Sequence, residues 1–193
     1  MKKYLAAAAA AAFICLPGVA AAQDKSDHDF AGVRAEARIG WETPTVSDGG
    51  GGVYKVGQAV SYGGEAGFDV AAGRKVTIGG YANYDISNVS LCDGSDCIKE
   101  QGNLSAGVRL GFIASPGVLV YVKGGYNSMH LKASSGGTTA GDTQGGIGGA
   151  LGAEFAIKKH VYAFVEGNYA DYGDFFGINL QRRHVAAGVG VRF

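Results

Sequence analysis

Apolar and polar positions alternate along most of the chain. From Val33 to Glu42 the odd positions are Val33, Ala35, Ala37, Ile39 and Trp41, and the even ones are Arg34, Glu36, Arg38, Gly40 and Glu42. A period of two with charge confined to one parity marks a β-strand with one dry and one polar side. The C-terminal segment repeats it, setting Val185, Ala187, Val189, Val191 and Phe193 against His184, Ala186, Gly188, Gly190 and Arg192. Six further strands read the same way, over 59–71, 76–86, 103–114, 118–128, 145–157 and 161–170. The last has the weakest parity, because Tyr162 and Phe164 fall on the side of Glu166 and Asn168.

The connections set the topology. Three are short, at Ala72 to Lys75, Ser115-Pro116-Gly117 and Lys158 to His160. Four are long and polar, at 43–58, 87–102, 129–144 and 171–182, and the two kinds alternate strictly. Tight turns on one side and long loops on the other are what an outer-membrane barrel shows, with the turns periplasmic and an even number of strands. Strands of this length cross the hydrocarbon layer when tilted. The predicted fold class is therefore all-β, an eight-stranded antiparallel transmembrane up-and-down β-barrel.

Closure follows from the solvent. In lipid every backbone N–H and C=O must be paired internally, so spanning sheet has no open edge. A cation facing lipid at mid-bilayer costs roughly 2–4 kcal/mol. Arg34, Glu36, Arg38, Glu65, Asp69, Asp85, Arg109, Lys123, Glu154, Glu166 and Arg192 share one parity and are accordingly predicted to face the lumen. The inverse arrangement, apolar inside, would describe a soluble ligand carrier and would leave those alternating charges on a Gly-rich exterior without a reason. An eight-stranded lumen is just wide enough for side chains, and glycines of the same parity leave room for Arg and Glu stems. The set is read as a plug of ion pairs; the alternative is a narrow porin-like channel for ions or small solutes. Phe30, Phe112, Phe155 and Phe193 are expected in a periplasmic aromatic girdle, and Trp41, Tyr62, Tyr126 and Tyr169 in an outer one.

Composition supports this picture by exclusion. The 193 residues hold 17 Lys+Arg against 17 Asp+Glu, 34 Gly and only 3 Pro, with 47% hydrophobic residues and a mean hydropathy of +0.06. Zero net charge leaves no basic surplus for nucleic acid. So much glycine disfavours a helical bundle, no internal apolar run suits a spanning helix, and the hydrophobic content excludes a disordered chain.

Residues 1–22 are read as a secretory signal peptide. Lys2 and Lys3 form its positive start, Leu5 to Leu16 its apolar core, and Ala20-Ala21-Ala22 its cleavage site. Cys15 does not make it a lipoprotein signal, since Ala12-Phe13-Ile14 lacks the residues such processing expects. The mature chain, 23–193, is one barrel domain of 171 residues with a net charge of −2. It keeps two cysteines, Cys92 and Cys97, which in an exported chain read as one local disulfide. A metal site between them is disfavoured, because no His or further Cys lies nearby.

With these residues in place, the chain resembles small outer-membrane β-barrel proteins of the OmpA/OmpX-like and Omp25/Omp31-like, opacity-type (porin-family) superfamily. The resemblance covers 23–193 and is carried by VRAEARIGWET (33–43), YGGEAGFDV (62–70), VYAFVEGNYADYG (161–173) and AAGVGVRF (186–193). It implies an assembly signal at Gly188, Val191 and Phe193, read by the barrel assembly machinery, although Ala186 stands where that signal usually carries a polar residue. It also implies residence in the Gram-negative outer membrane among its lipids, and a monomer or weak oligomer. An extracellular ligand for the loops, if there is one, is not specified. With the chain ending on its last strand, no peptidoglycan-binding domain is expected.

No cofactor and no enzymatic activity are predicted. His130, His160 and His184 are followed by Leu131-Lys132, Val161-Tyr162 and Val185-Ala186, so none forms the His-x-Ser pair of barrel deacylases. Each histidine, with His28, is read as a turn or rim residue. The glycine runs at 49–52 and 145–149 lack the Lys-Ser/Thr and helix of a phosphate loop. The expected role is in envelope integrity or surface interaction, through four long loops.

Overall fold

The structure, a computed structural model, describes residues 30–47, 52–55, 57–87, 89–93, 96–135, 138–175 and 178–193. The proposed signal peptide and His28 lie outside them. The described chain forms ten strands: β1 (Gly32–Ser47), β2 (Val53–Lys55), β3 (Ala59–Ala71), β4 (Val76–Ser87), β5 (Ser90–Asp93), β6 (Asp96–Ser115), β7 (Val118–Ser135), β8 (Thr138–Lys158), β9 (Val161–Phe175) and β10 (Ile178–Arg192). Eight are staves in the order β1-β3-β4-β6-β7-β8-β9-β10, and β2 and β5 are short arms on β1 and β6. All pairings are antiparallel. Closure is made by β1 and β10, paired from Arg34 opposite Arg192 to Ser47 opposite Asn179. The fold is a closed eight-stranded up-and-down barrel.

The period-two pattern decides which way each side chain points. Val33, Ile39, Val108 and Val189 are 53%, 53%, 66% and 56% exposed, whereas Arg34, Arg38 and Glu166 are buried. The apolar row is outside, as a lipid-facing wall requires, and the soluble-carrier arrangement is excluded. Trp41, Tyr62, Tyr126 and Tyr169, and at the other end Phe112, Phe155 and Phe193, are exposed on this wall. The Pro116-Gly117 turn follows from backbone chemistry: proline fixes the first central φ, and Gly117 supplies the positive one, 86°, that a type II turn demands.

Three expectations need correction. Phe30 is not part of the girdle: it is buried, with the Arg192 guanidinium carbon 5.7 Å from its ring centre. It stands two residues before Gly32, which has a φ of 125°, at the end of the barrel where Arg192 closes the lumen. The long segments 129–144 and 171–182 are not loops through most of their length, because β7, β8, β9 and β10 run on into them. Polar Gly, Ser and Thr read as loop, but beyond the membrane both strand faces meet water and the backbone ladder continues without an apolar pattern. His184 is not at a rim either; it lies on β10 with its side chain buried inside.

Candidate functional site: the barrel lumen

The lumen is built in layers. At its centre, ten charged side chains form one connected network. Arg34 on β1 meets Glu36 at 2.7 Å, Glu65 of β3 at 2.6 Å and Asp69 of β3 at 3.1 Å. Glu65 also binds Arg38 at 2.9 Å and Lys123 of β7 at 2.7 Å. Glu166 of β9, two staves from each, joins Arg38 to Lys123. Asp69 receives Arg109 of β6 at 2.6 Å and Arg192 of β10 at 3.3 Å, and Glu154 of β8 receives the same two arginines. The ten come from seven staves, and Asp85 of β4, 3.5 Å from Arg38, adds the eighth as a further neighbour. The network thus holds Arg34, Glu36, Arg38, Glu65, Asp69, Arg109, Lys123, Glu154, Glu166 and Arg192.

Aromatic rings fill the gaps between these charges. The Arg109 guanidinium carbon lies 3.9 Å from the Tyr121 ring centre, and that of Arg192 lies 4.8 Å from Tyr162. Lys123 sits 5.0 Å from Tyr81, and Arg38 5.7 Å from Phe164. Such contacts are favourable where water is excluded. Tyr121 and Tyr162 also donate their hydroxyls to Glu166 and Glu36, both at 2.9 Å. Tyr162 and Phe164 therefore keep the lumenal parity of their strand.

Each of these rings faces a glycine in the adjacent strand. Tyr81 pairs with Gly67, Tyr121 with Gly152, Tyr162 with Gly190 and Phe164 with Gly188. A Cβ at Gly152 or Gly190 would run into the ring opposite, and one at Gly67 would stand 2.6 Å from the Arg34 guanidinium. The lumenal glycines thus make room for rings as well as for Arg stems.

Toward the outside the lumen mixes uncharged polar side chains with a few charged ones. Asn83, Asp85, Ser105, Asn127 and Arg182 line a cavity of about 20 Å³, which is room for water and little else. Glu42 and Arg182 pair here at 2.7 Å. Above it Met129, Ala170, Tyr172 and Leu180 pack as a small apolar cluster. Neither Glu42–Arg182 nor this cluster is legible in the sequence, since both depend on strand extension into segments that read as loops.

One constellation has the residue types of a hydrolase. Ser61 Oγ lies 2.8 Å from His184 Nε2, and Asp85 Oδ2 lies 3.9 Å from His184 Nδ1. A working triad needs the carboxylate hydrogen-bonded to the imidazole and a nucleophile that substrate can reach. Here the carboxylate is beyond hydrogen-bond distance, and Ser61 is 1% exposed. Parity places both Ser61 and His184 inside, but only register brings them together across 123 positions.

Cys92 and Cys97 are direct partners in the β5–β6 arm; their side chains lie outside what the structure describes. Gly188 and Val191 are on β10 beside the closing seam, and Phe193 donates its N–H to the Val33 carbonyl at 2.9 Å. Among the described residues no cluster of His, Cys, Asp and Glu is arranged for a metal ion.

The family model for the outer membrane protein beta-barrel domain matches residues 6–193. No curated protein matches the chain. Neisserial surface protein A is similar in structure, with a TM-score of 0.60 at 17% identity over 82% of this chain and 97% of its own. So is the attachment invasion locus protein Ail of Yersinia pestis, at 0.52 and 13% identity over 83% and 99%. OprG from Pseudomonas aeruginosa reaches 0.50 and 13% over 88% and 99%. At these identities the likeness is one of fold.

Proposed function

The chain belongs to the outer membrane protein beta-barrel domain family, and from that premise we propose that it is a non-enzymatic envelope protein whose filled lumen stabilises a platform for surface interaction. The carrying observation is the ten-residue ion-pair network, which ties staves that are not neighbours and fills the lumen at mid-height. Buried ion pairs contribute little net stability over apolar packing, so their use here reflects a lumen that must be filled while the opposite parity stays apolar for lipid. The outer hairpins, above all β7–β8, extend past the aromatic wall and offer the surface that an extracellular partner would meet.

In this reading the signal peptide is removed after Ala22, the barrel assembly machinery reads Gly188, Val191 and Phe193, and the protein works as a monomer surrounded by outer-membrane lipid. A narrow channel is the second reading, favoured by the water-sized polar cavity above the network. Planar-bilayer recording separates the two. The plug reading expects no steady conductance from the wild type and discrete openings from Arg38→Ala. Reproducible wild-type channels would overturn it.

A further inference from the structure

The outer mouth of the lumen is closed by side chains of a different chemistry from those beneath it. The polar cavity is lined by Ser105 of β6, Asn127 of β7, Ala170 of β9 and Arg182 of β10. Two positions further out along the same staves stand Asn103, Met129, Tyr172 and Leu180. Residues two apart in a strand share a face, so these four point into the mouth above the cavity, and all are buried. Pro44 of β1 and Ser87 of β4, two positions beyond Glu42 and Asp85, are buried too. None of the six is charged, although charged residues lie below them and bulk water above.

The parts of this cover are fastened to one another. Tyr172 donates its hydroxyl to Asn103 Oδ1 at 2.7 Å, reaching from β9 to β6. Its carbonyl accepts from Gln144 Nε2 of β8 at 3.0 Å. Met129, Tyr172 and Leu180 pack with Ala170 as one apolar cluster, so the path from outside to the cavity runs between hydrocarbon and sulfur. An apolar constriction excludes water without binding an ion, because water inside it finds too few hydrogen-bond partners. The ion pairs below then attract more strongly than they would in a wet lumen.

We propose that this cover is a dewetting seal, a second barrier in series with the ion-pair plug that keeps extracellular water and small solutes out of the cavity. It rests on the filled-lumen reading and adds to it. With the seal in place, loss of the plug gives only brief openings, because each one waits for the mouth to wet. With the plug in place, loss of the seal wets the cavity without joining the two sides of the membrane.

The test is alkylation of Ser105→Cys, a thiol beneath the seal, by a small cationic methanethiosulfonate. It uses the folded, detergent-released full chain with Cys92→Ser and Cys97→Ser. The expected rate is well below that of Thr143→Cys, an exposed position on β8. Adding Leu180→Asn or Met129→Gln should raise it about tenfold, since losing buried apolar contact enlarges the open population. Tyr172→Phe keeps the ring, loses only the bond to Asn103, and should leave the rate unchanged. Heat-modifiable gel mobility confirms folding, and the two polar variants are on different staves, so either one carries the test. Equal rates at Ser105→Cys and Thr143→Cys, or no rise in either polar variant, would overturn the seal. A rise in Tyr172→Phe as large as in Leu180→Asn would assign closure to the hydrogen bond and overturn it as well. Planar-bilayer recording keeps the plug separate: Leu180→Asn alone should stay closed, and added to Arg38→Ala it should lengthen the openings. Steady conductance from Leu180→Asn alone would fail the plug while upholding the seal.

Discussion

Tyr172 and Asn103 meet across the outer end of the lumen, the phenol of β9 donating to the Asn103 carboxamide oxygen of β6 at 2.7 Å. A β-bulge makes this contact possible. Register steps from Asn179 opposite Asp174 to Gln181 opposite Asp171, so Tyr172 and Gly173 together face Leu180. Gly173 takes a φ of 70°, and its N–H donates to Asp171 Oδ1 at 2.8 Å. Bulges commonly re-aim a side chain in this way. Tyr172→Phe is expected to cost about 1 kcal/mol in urea unfolding from lipid vesicles. Asn103→Ala added to it should cost less than in the wild type, because the shared bond is already gone.

Glu166 on β9 anchors Arg38 of β1 and Lys123 of β7, each two staves away. Removing its charge leaves two buried cations competing for Glu65, and breaking a buried pair from one side costs roughly 3–5 kcal/mol. Glu166→Gln should therefore unfold at markedly lower urea. Adding Lys123→Met removes one of the stranded cations and should restore part of the loss, which is read from the same unfolding midpoints. A double variant weaker than the single one by the full cost of Lys123→Met alone would show that the two residues are not coupled.

The glycines opposite lumenal rings predict a steric effect of unusual sign. Alanine is ordinarily better than glycine in a strand, yet a Cβ at Gly152 meets the Tyr121 ring. Gly152→Ala is expected to destabilise by about 1–3 kcal/mol through overpacking. Combining it with Tyr121→Ala should bring the penalty of the added methyl close to zero in a double-mutant cycle.

How much of this was legible in the sequence depends on whether a feature is local. The lumenal placement of Arg34, Glu65 and Arg192 follows from parity alone, because successive side chains in a strand must alternate. Which charges touch is set by the tilt and stagger of the staves: Lys123 reaches Glu65 across 58 positions, a relation that no spacing rule encodes. Tyr162 and Phe164 weakened the parity of β9 only while a lumenal residue was assumed to be polar. Cation–π stacking on Arg192 and Arg38 supplies the reason they face inward. His184 read as a rim residue because 171–182 read as a loop, and the extension of β10 through that stretch puts His184 well inside the strand.

Direct pairing of Cys92 with Cys97 places their Cα atoms opposite each other in an antiparallel arm, a separation compatible with a bridge. The expected outcome is that denatured, periplasmically exported protein reacts with a thiol-specific probe only after reduction. The closed loop is short, so reduction should shift stability little. Two reactive thiols in the unreduced protein would defeat the bridge.

Val108 and Arg109 are neighbours on β6 with opposite fates: the first is 66% exposed on the outer wall, and the second is buried against Asp69 and Glu154. The pair tests the solvent on each side of the sheet. If hydrocarbon bathes the outer wall, Val108→Arg places a cation where no counter-charge is within reach, and the loss should be about 2–4 kcal/mol. In a barrel whose outer wall met water, the same change would be a surface substitution worth within about 0.5 kcal/mol. Urea unfolding from lipid vesicles reads the difference. The same variant folded in a short-chain detergent should lose less, since a thin, mobile micelle lets the guanidinium reach water. A penalty near zero in both media would mean that this face of β6 does not look into a membrane.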